Sequence, residues 1–411
     1  MTVRGLDLTI LIVNDFAYVY GGASHVALSS ARELARRGHS IVLFTAIPPI
    51  DPSLQECGVR VVCLDQKVVG DSKNKLGSAI QAVWNRHAAA EMEKVLQSLD
   101  ASTTIVHLHT WTRGLSPSIV PVIERHGACM VATLHDYFLA CPNGGFYNYA
   151  SESICHLKPL SLECLLTSCG PGAYPTKMWR SFRQFVQLKA GHLPSSVHNF
   201  ISVSPLSRAV LEPFLPPASN IYNISNPIDI SQSPPVNVAK NDYFVMVGRL
   251  SASKSPLLLA AAASQCQVKV RFIGDGELRQ QLESEYPAAE VTGWLPQSEV
   301  QKYLEGARAL VFPSRWYETQ GLAILEAAAR GIPAVVADSC AGRDFISNGS
   351  TGLLFRGADV SDLAKQMSIL KDDAVVSRLG QAAYEHHWKN PPTLESHVDR
   401  LEACYARMID G

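Results

Sequence analysis

The sequence predicts an α/β protein with two Rossmann-like domains, each built around a parallel sheet. Short apolar runs rich in strand-forming residues alternate with segments of helical periodicity, which is typical of parallel sheets covered by helices. The alternation stops in a segment rich in Pro, Ser and Asn and then restarts. At 411 residues the chain is also longer than the roughly 100–200 residues of one domain.

The expected elements form two series, one on either side of that segment. We expect an N-terminal domain over residues 1–225, a linker over 226–241, a C-terminal domain over 242–390 and a last helix over 391–411 that can return to the first domain. Each expected strand is a short apolar run, and each helix has apolar residues three and four positions apart. The expected strands are Leu8–Val13, Ser40–Phe44, Thr104–His109, Met130–Leu134, Phe200–Val203, Tyr243–Val247, Val268–Ile273, Ala309–Phe312 and Ala334–Ala337. The expected helices before the last one are Gly22–Arg37, Leu76–Leu99, Pro117–Arg125, Met178–Ala190, Pro256–Ser264, Glu277–Glu285, Gln297–Glu305, Gly321–Arg330 and Val360–Leu370.

The composition is that of an ordinary folded enzyme, with 47% hydrophobic and 18% charged residues. The formal net charge of −1 gives no support for a nucleic-acid partner. The run Leu8–Val13 is broken by Asn14 and Asp15, so we expect a buried strand and no signal peptide. No apolar run reaches the roughly 20 residues of a membrane span. We expect a cytoplasmic protein, either soluble or peripheral at the inner face of the plasma membrane.

Gly21-Gly22-Ala23-Ser24 follows the first expected strand and opens a helix. Glycines there let the backbone approach a ligand, and the helix N-terminus offers N–H groups and a positive dipole to phosphate. The alternative is a plain strand-to-helix turn, because the dinucleotide pattern G-x-G-x-x-G is absent.

Arg249 and Lys254 lie on a turn that follows another expected strand. Across such a turn the planar Arg fork and the Lys ammonium can converge on one diphosphate. Two solvated surface cations are the alternative.

Glu318 and Glu326 lie on a loop and on the helix after it, beyond the expected strand Ala309–Phe312. In open α/β sheets ligands bind at the carboxyl ends of strands, so chemistry is expected in this loop. Glu326 stands among apolar residues, where a carboxylate needs a partner such as sugar hydroxyls. The alternative is a Glu318 that caps the helix and a Glu326 that is exposed.

Together with other segments, these motifs resemble the retaining glycosyltransferases of family 4, the glycosyl transferases group 1. The resemblance covers nearly the whole chain and implies the GT-B fold, in which two Rossmann-like domains face a central cleft. The segments that carry it are Gly21-Gly22, His107-Leu108-His109, Leu134-His135-Asp136-Tyr137, Asn226-Pro227-Ile228-Asp229, Gly248-Arg249-Leu250 with Lys254, Gly274-Asp275-Gly276, Gly293-Trp294-Leu295 and Glu318 with Glu326.

The resemblance implies a role for each matched residue. Arg249 and Lys254 would neutralise the donor diphosphate, and Glu326 would accept hydrogen bonds from the ribose. Glu318 would face the transferred sugar, and His135 would lie near that sugar on the acceptor side of the cleft. The catalytic set implied is His135, Glu318, Arg249 and Lys254. The further donor-binding residues implied are Gly21, Gly22, Gly274, Gly293, Trp294, Leu295, Gln320, Gly321, Leu322 and Glu326.

The chain departs from the family pattern at two positions. Gln320 stands where the family usually has an aromatic residue, and Asp344 stands where it often has Glu, so Asp344 is a further candidate site residue. No Asp-x-Asp pair stands where a metal-dependent enzyme needs one, since Asp372-Asp373 falls in a helical stretch. We therefore expect no catalytic metal. Retention would resemble departure and return on one face of the sugar, with Arg249 and Lys254 stabilising the charge on the leaving diphosphate.

Four cysteines lie in an insertion over about residues 137–176. This segment has little periodic apolar content, so it would gain from a staple such as a structural zinc ion held by four thiolates. Free thiols in a loop that faces the acceptor are the alternative, because the spacings are looser than C-x₂-C pairs. The four residues are Cys141, Cys155, Cys164 and Cys169.

Between His156 and Lys189, cations outnumber anions and aromatic residues interleave with them. Such a helix suits the surface of an anionic membrane. An amphipathic helix packed on its own domain is the alternative. The residues concerned are Lys158, Lys177, Trp179, Arg180, Phe182, Arg183, Phe185 and Lys189.

The function expected from these observations is transfer of a sugar from a nucleoside diphosphate sugar to a glycan acceptor. A lipid-linked glycan is one candidate acceptor, in polysaccharide or O-antigen-type biosynthesis. The alternatives are a GT-B nucleotide-sugar epimerase and a catalytically inactive subunit that binds a nucleotide sugar.

Overall fold

The computed structural model describes residues 8–68 and 75–410 of the chain. Strands and helices alternate along the part that precedes the expected linker. Its strands are β1 (Thr9–Phe16), β2 (Ser40–Ile47), β3 (Arg60–Cys63), β4 (Thr104–Leu108), β5 (Cys129–Leu134), β6 (Tyr147–Asn148), β7 (Ser153–Ile154), β8 (Asn199–Ser202) and β9 (Asn220–Asn223). Its helices are α1 (Gly22–Arg36), α2 (Pro52–Glu56), α3 (Lys75–Val83), α4 (Arg86–Leu96), α5 (Val120–His126), α6 (Leu162–Leu166), α7 (Tyr174–Lys189) and α8 (Pro205–Leu211).

The second part repeats the alternation. Its strands are β10 (Tyr243–Val247), β11 (Lys269–Ile273), β12 (Glu290–Val291), β13 (Ala307–Phe312), β14 (Ala334–Ala337) and β15 (Gly352–Phe355). Its helices are α9 (Pro256–Cys266), α10 (Arg279–Glu285), α11 (Gln297–Glu305), α12 (Leu322–Ala328), α13 (Val360–Ile369), α14 (Asp373–Lys389) and α15 (Leu394–Asp410).

Each part is organised by one parallel sheet. The first sheet has the strand order β3-β2-β1-β4-β5-β8-β9, and the second has the order β12-β11-β10-β13-β14-β15. In both sheets the strand order reverses beside the first strand, so the loops after the central strands open into a crevice where ligands bind. The remaining pair, β6 and β7, forms an antiparallel hairpin within the cysteine insertion.

The central strands are apolar along their length because helices cover both faces of each sheet. In β1, Ile10, Ile12 and Val13 are fully buried. In β13, every residue is buried. Strands buried on both faces read as continuous apolar runs, which is why the sequence located the central strands and not the short edge strands β3, β9 and β15.

The expected single helix over Leu76–Leu99 is wrong, because the structure has two helices there, α3 and α4. Asn85 separates them. Its side-chain oxygen accepts the N–H of Ala88 at 3.0 Å, and its side-chain amide donates to the carbonyl of Gly114 at 2.7 Å. Asn favours such a cap because it satisfies an N–H group that the first turn of a helix leaves free.

The chain crosses between the two parts twice, and the crossings lie side by side. The backbone N–H of Ile228, after β9, donates to the carbonyl of Pro392, before α15, at 2.9 Å. The last helix α15 then packs against α1 of the first part. Arg37, which caps the C-terminal end of α1, pairs with Asp399 at 2.6 Å and with Glu402 at 2.8 Å.

Three buried imidazoles lie on or near the contact between the first sheet and α15: His107 contacts α15, His397 belongs to it, and His135 follows β5. His107 contacts the Tyr405 hydroxyl and the Thr133 hydroxyl, each at 2.7 Å. Burial lowers the pKa of His107 and of His135 to about 3, and that of His397 to about 4. These side chains are therefore neutral at physiological pH.

Acidification should destabilise the protein through these histidines. Between pH 7 and pH 5 the unfolded chain takes up protons near its ordinary histidine pKa, whereas the folded protein does not, so stability falls as the pH falls. For His107 the loss at pH 5 is roughly 1–2 kcal/mol. The free energy of unfolding, measured in urea at pH 7 and at pH 5, should fall less for the variant His107→Gln than for the wild type. An exposed-histidine control, His87→Gln, should match the wild type, and equal losses in all three proteins would contradict this assignment.

Candidate active site

A buried carboxylate, that of Glu318, is the centre of the candidate donor site. Glu318 follows β13 at the carboxyl edge of the second sheet. Its Oε1 atom accepts hydrogen bonds from the Ser314 hydroxyl at 2.7 Å and from the Trp316 indole at 2.6 Å. The Lys254 ammonium is bonded to the same oxygen. Because Glu318 is only 6% exposed, its charge is compensated by Lys254 rather than by water.

Lys254 is fixed by its aromatic neighbours as well as by Glu318. It ends a short 3₁₀ turn, Ala252–Lys254, that follows β10. Its ammonium lies 5.4 Å from the ring centre of Phe312 and 5.7 Å from that of Trp316. The structure thus brings together two predicted site residues that lie 64 positions apart in the sequence.

The Arg249 loop is packed backbone to backbone against its neighbour. The N–H of Gly248 donates to the carbonyl of Ile273 at 3.0 Å. A Cβ on Gly274 would lie 2.0 Å from the carbonyl oxygen of Gly248, so a side chain there would push the two loops apart. Gly274 also has a φ of +148°, which side chains disfavour. Arg249 itself is exposed at this edge.

Glu326 lies on α12, the helix that follows Glu318, and is half-buried. Its Oε1 atom accepts a hydrogen bond from the Gln297 amide at 3.1 Å. Burial raises the pKa of Glu326, while the Gln297 hydrogen bond and the charge of Arg330 act in the opposite direction. Gln297 follows the segment Gly293–Leu295, in which Trp294 is exposed. The predicted ribose-binding residue therefore lies beside the predicted Gly-Trp-Leu segment.

The predicted residues of the first domain lie at the carboxyl edge of its sheet. Gly21 and Gly22 precede and open α1, whose N-terminus has no side-chain cap, and a Cβ on either glycine would meet no atom within 4 Å. The space in front of this helix end is open. His135 follows β5 and contacts His109 at 2.8 Å between ring nitrogens. Since both imidazoles are neutral, His135 can donate or accept one hydrogen bond toward a sugar.

Tyr137 joins the two domains at Glu318. Its buried hydroxyl donates to the backbone carbonyl of Glu318 at 2.6 Å. Glu318 has a φ of +51°, a left-handed conformation that side chains disfavour. A second contact joins the same regions, because Arg315 pairs with Glu152 of the insertion at 2.8 Å. The first domain thus helps to hold the loop that carries Glu318 in its shape.

Gln320 and Asp344 have structural partners. The Gln320 side chain is 2% exposed, and it accepts the N–H of Asn226 at 2.9 Å and donates to the carbonyl of the same residue at 3.3 Å. Asn226 begins the linker, so Gln320 fastens the donor loop to it. Asp344 accepts the N–H of Leu206, at the start of α8, at 2.8 Å. Gly321, with a φ of +89°, and Leu322 begin α12.

Two family models match the chain, one on each domain. Residues 21–154 match the glycosyl transferase 4-like domain, and residues 241–373 match the glycosyl transferases group 1. The matched ranges contain His135, Lys254 and Glu318. The chain belongs to the family 4, group 1 glycosyltransferases. The predicted family is confirmed.

Curated glycosyltransferases match shorter stretches. A sulfoquinovosyl transferase of Arabidopsis thaliana is 34% identical over 148 residues, which are 34% of this chain and 29% of that protein. The UDP-Gal:alpha-D-GlcNAc-diphosphoundecaprenol alpha-1,3-galactosyltransferase of Escherichia coli is 27% identical over 190 residues, 42% of this chain and 48% of that protein. The chain thus spans less than half the length of these two relatives.

The similarity of folds extends over the whole length. The structure of the Anabaena protein HepE in complex with UDP and glucose superposes with a TM-score of 0.65, covering 97% of this chain and 100% of HepE at 16% sequence identity. The GT-B fold of this glycosyltransferase family is confirmed.

Two of the four clustered cysteines contact a buried lysine. The Lys177 ammonium lies 3.1 Å from the Cys169 sulfur and 3.5 Å from the Cys164 sulfur. Burial raises the pKa of the Cys155 thiol, and the nearby thiols of Cys169, Cys141 and Cys164 add to the rise. Within residues 8–68 and 75–410, no group of three or more His, Cys, Asp or Glu side chains is arranged to hold a metal ion. The zinc site stays a prediction.

Two positioning residues were not identified from the sequence. Asp15 is fully buried and accepts the N–H groups of Arg113 at 2.9 Å and Gly114 at 2.8 Å, so it shapes the loop after β4. The sequence did contain a sign of this role, because Asp15 is an acidic residue that interrupts an apolar, strand-like run. Tyr137 lies within a matched motif, but only the folded chain shows that it contacts Glu318.

The two glutamates should differ in their kinetic effects when each is changed to Gln. Glu318→Gln removes the negative partner of Lys254 and should lower kcat by roughly tenfold or more, because Lys254 would no longer be held where charge develops. Glu326→Gln should mainly raise KM for the donor, since ribose is unchanged during the reaction. Steady-state kinetics on both variants, with the exposed Glu385→Gln as control, checks this division. Identical profiles, or a Glu318 variant altered only in KM, would refute it.

Proposed function

We propose that this chain is a nucleotide-sugar-dependent glycosyltransferase that moves a sugar from a nucleoside diphosphate to a glycan acceptor. The observation that carries the proposal is the Lys254–Glu318 pair at the carboxyl edge of the second sheet, with Arg249 on the same loop as Lys254. The Escherichia coli relative is named for the donor UDP-Gal, and HepE is in complex with UDP and glucose, and both support a donor of this class.

In the proposed mechanism the cations stabilise the departing diphosphate. Arg249 and Lys254 lie on one loop, and charge on the leaving group grows in the transition state, so both contribute most there. Two such cations can fill the role that a metal ion has in other transferases, so we propose a metal-independent reaction. We further propose retention, with departure and attack on the same face of the sugar. His135 would contact the sugar from the acceptor domain.

The acceptor proposed is a lipid-linked glycan. Its support is that the Escherichia coli relative is named for a diphosphoundecaprenol acceptor. A cytoplasmic enzyme that is peripheral at the inner membrane face would meet such an acceptor. None of the helices in the described ranges is both long and apolar enough to span a bilayer.

A screen of nucleotide sugars tests the function and separates it from its alternatives. Hydrolysis or transfer of one donor supports a transferase, and a change of sugar configuration without release of nucleoside diphosphate would indicate an epimerase. A nucleotide that stabilises the chain thermally while no donor is turned over would indicate an inactive binding subunit.

Lys254→Ala should lower turnover of the identified donor by roughly two orders of magnitude. The substitution removes a charge-assisted contact, worth about 1.5–3 kcal/mol, and leaves the buried Glu318 carboxylate without its partner. The control Lys365→Ala changes an exposed lysine on α13 and should be neutral. Near-normal turnover in the Lys254 variant would remove this lysine from the proposed mechanism.

We also propose that the clustered cysteines bind one structural zinc ion. Four thiols in one insertion form a donor set that zinc prefers, and the Lys177 ammonium would have to move from Cys164 and Cys169. Metal analysis of protein purified without chelators should find about one zinc per chain. The variant Cys155→Ser should lose metal and Cys57→Ser, outside the insertion, should keep it. A metal-free and fully folded wild type would end the proposal.

A further inference from the structure

The helix α7 carries polar side chains inward and apolar side chains outward. Its buried side chains are Lys177, Ser181, Arg183, Gln184 and Gln187. Its large exposed apolar side chains are Tyr174, Met178, Phe182, Phe185 and Leu188. Spacings of three and four residues place the exposed group along one stripe. A helix packed by its apolar face on its own domain would show the reverse, so that alternative is wrong.

The apolar stripe continues onto two neighbouring helices. Leu76 and Ile80 of α3, which packs beside α7, are exposed, and so are Leu162 and Leu166 of α6. The Tyr174 hydroxyl ties α7 to α6 by donating to the carbonyl of Leu165 at 2.7 Å. We call the exposed side chains of α3, α6 and the α7 stripe the outer apolar surface. A contiguous patch of this kind marks an interaction site on a soluble domain.

The inner face of α7 binds the loop that follows His135. The Gln184 amide donates to the carbonyl of Leu139 at 3.0 Å, and the Gln187 amide donates to that of Phe138 at 3.0 Å. Gln187 also accepts the indole N–H of Trp111 at 3.1 Å. The outer apolar surface is therefore one helix thickness from the acceptor side of the cleft.

Three arginines gather on that inner side. The Arg183 guanidinium is buried and lies 4.9 Å from the ring centre of Phe138, and its hydrogen bond goes to the carbonyl of Thr112, next to Arg113, at 3.5 Å. Arg180, one turn earlier on α7, donates to the Asn143 side chain at 3.3 Å. The hydrogen-bond partners of Arg180 and Arg183 are neutral oxygens. Asp15 and Asp136 lie near Arg183 and offset its charge, so Arg113 and Arg180 are the cations that remain to attract an anion.

The cluster extends toward the donor site. Burial raises the pKa of the Tyr149 phenol and the charge of Glu277 adds to the rise, whereas the positive charges of Arg180 and Arg249 oppose it. Tyr149 thus lies near an arginine of each domain. Burial lowers the pKa of Arg183 to about 10, and the charges of Arg180 and Arg113 lower it further, against Asp136 and Asp15.

We propose that the outer apolar surface docks on a lipid bilayer and that Arg113 and Arg180 bind the phosphate group of an acceptor carried by that bilayer. The proposal rests on the transferase function above and adds the surface that meets the bilayer and the residues that bind the phosphate of the acceptor. The expectation that Lys177 and Arg183 face the membrane is wrong, since both are buried. The aromatic and aliphatic side chains face it instead.

Charge and composition favour a bilayer as the occupant. Lys158 and Lys189, which flank α6 and α7 in the chain, are exposed, and Glu163 is the acidic residue between them on α6. Lysine stems cover apolar area while their ammonium groups reach lipid phosphates. Phe182 and Phe185, 57% and 51% exposed, supply the aromatic side chains typical of helices that lie in a membrane interface.

Vesicle sedimentation of the full chain tests the docking. Vesicles of phosphatidylcholine with phosphatidylglycerol should sediment the wild type. The double variant Phe182→Ser with Phe185→Ser should bind on the order of tenfold or more weakly, because two aromatic side chains no longer enter the bilayer. Ile369→Ser, a control exposed on the C-terminal domain, should bind like the wild type. Absent sedimentation, or a dimer in light scattering that the double variant dissociates, would overturn docking on a bilayer.

A second vesicle series tests the phosphate site. Phosphatidylcholine vesicles doped with a polyprenyl phosphate are compared with phosphatidylglycerol vesicles of equal surface charge. The wild type should bind the polyprenyl phosphate vesicles more tightly, and Arg113→Gln with Arg180→Gln should abolish that difference. Arg125→Gln, exposed on α5, should keep it. Binding that follows surface charge alone in the wild type would overturn the phosphate site.

Thermal stabilisation by UDP and GDP separates this inference from the proposed function. A wild type that is stabilised by a nucleotide but does not bind vesicles refutes the inference alone. A wild type that binds vesicles while no nucleotide stabilises it and no nucleotide sugar is turned over refutes the transferase function instead.

Discussion

The bond between the Glu318 carboxylate and the Lys254 ammonium holds the candidate donor site together. Glu318 is buried, and a buried carboxylate without a partner costs several kcal/mol, so Glu318 depends on Lys254 to stay ionised in this position. The pair forces the loops after β10 and β13 into contact, and Ser314 and Trp316 complete the coordination of Glu318 Oε1. The left-handed backbone of Glu318 persists because its surroundings determine it, and Tyr137 of the other domain is one of the groups that do so.

The pairing of Lys254 with Glu318 also determines which cation gives the carboxyl edge of the second sheet its net positive charge. Lys254 is neutralised within the protein by Glu318, whereas Arg249 is exposed. In the mechanism we propose, an incoming diphosphate would meet the net positive charge of Arg249, while Lys254 and its glutamate would contribute a fixed local dipole. Electrostatic attraction and placement of the leaving group are thereby divided between two residues of one loop.

The sequence predicted those features of the fold that depend on local patterns of residues. The alternating apolar runs predicted the α/β class and the buried central strands, and the ordered motifs predicted the family. The inward and outward faces of α7 could not be derived, because periodicity gives the angle between residues and not the side that meets the protein. The partner of Gln320 could not be derived either, since the linker residue Asn226 is distant in sequence and close only after folding.

The two neighbouring chain crossings limit how the domains can move. Ile228 and Pro392 are hydrogen-bonded, so both connections leave the first domain along nearly the same line. Two connections on one line form a hinge. The domains can rotate relative to each other about that line, but they cannot easily twist or slide past each other. The Tyr137–Glu318 hydrogen bond, away from the hinge, acts as its latch. If the cleft opens to exchange a nucleotide, this hydrogen bond breaks. The loop that carries Glu318 then loses the support that the first domain gives to it.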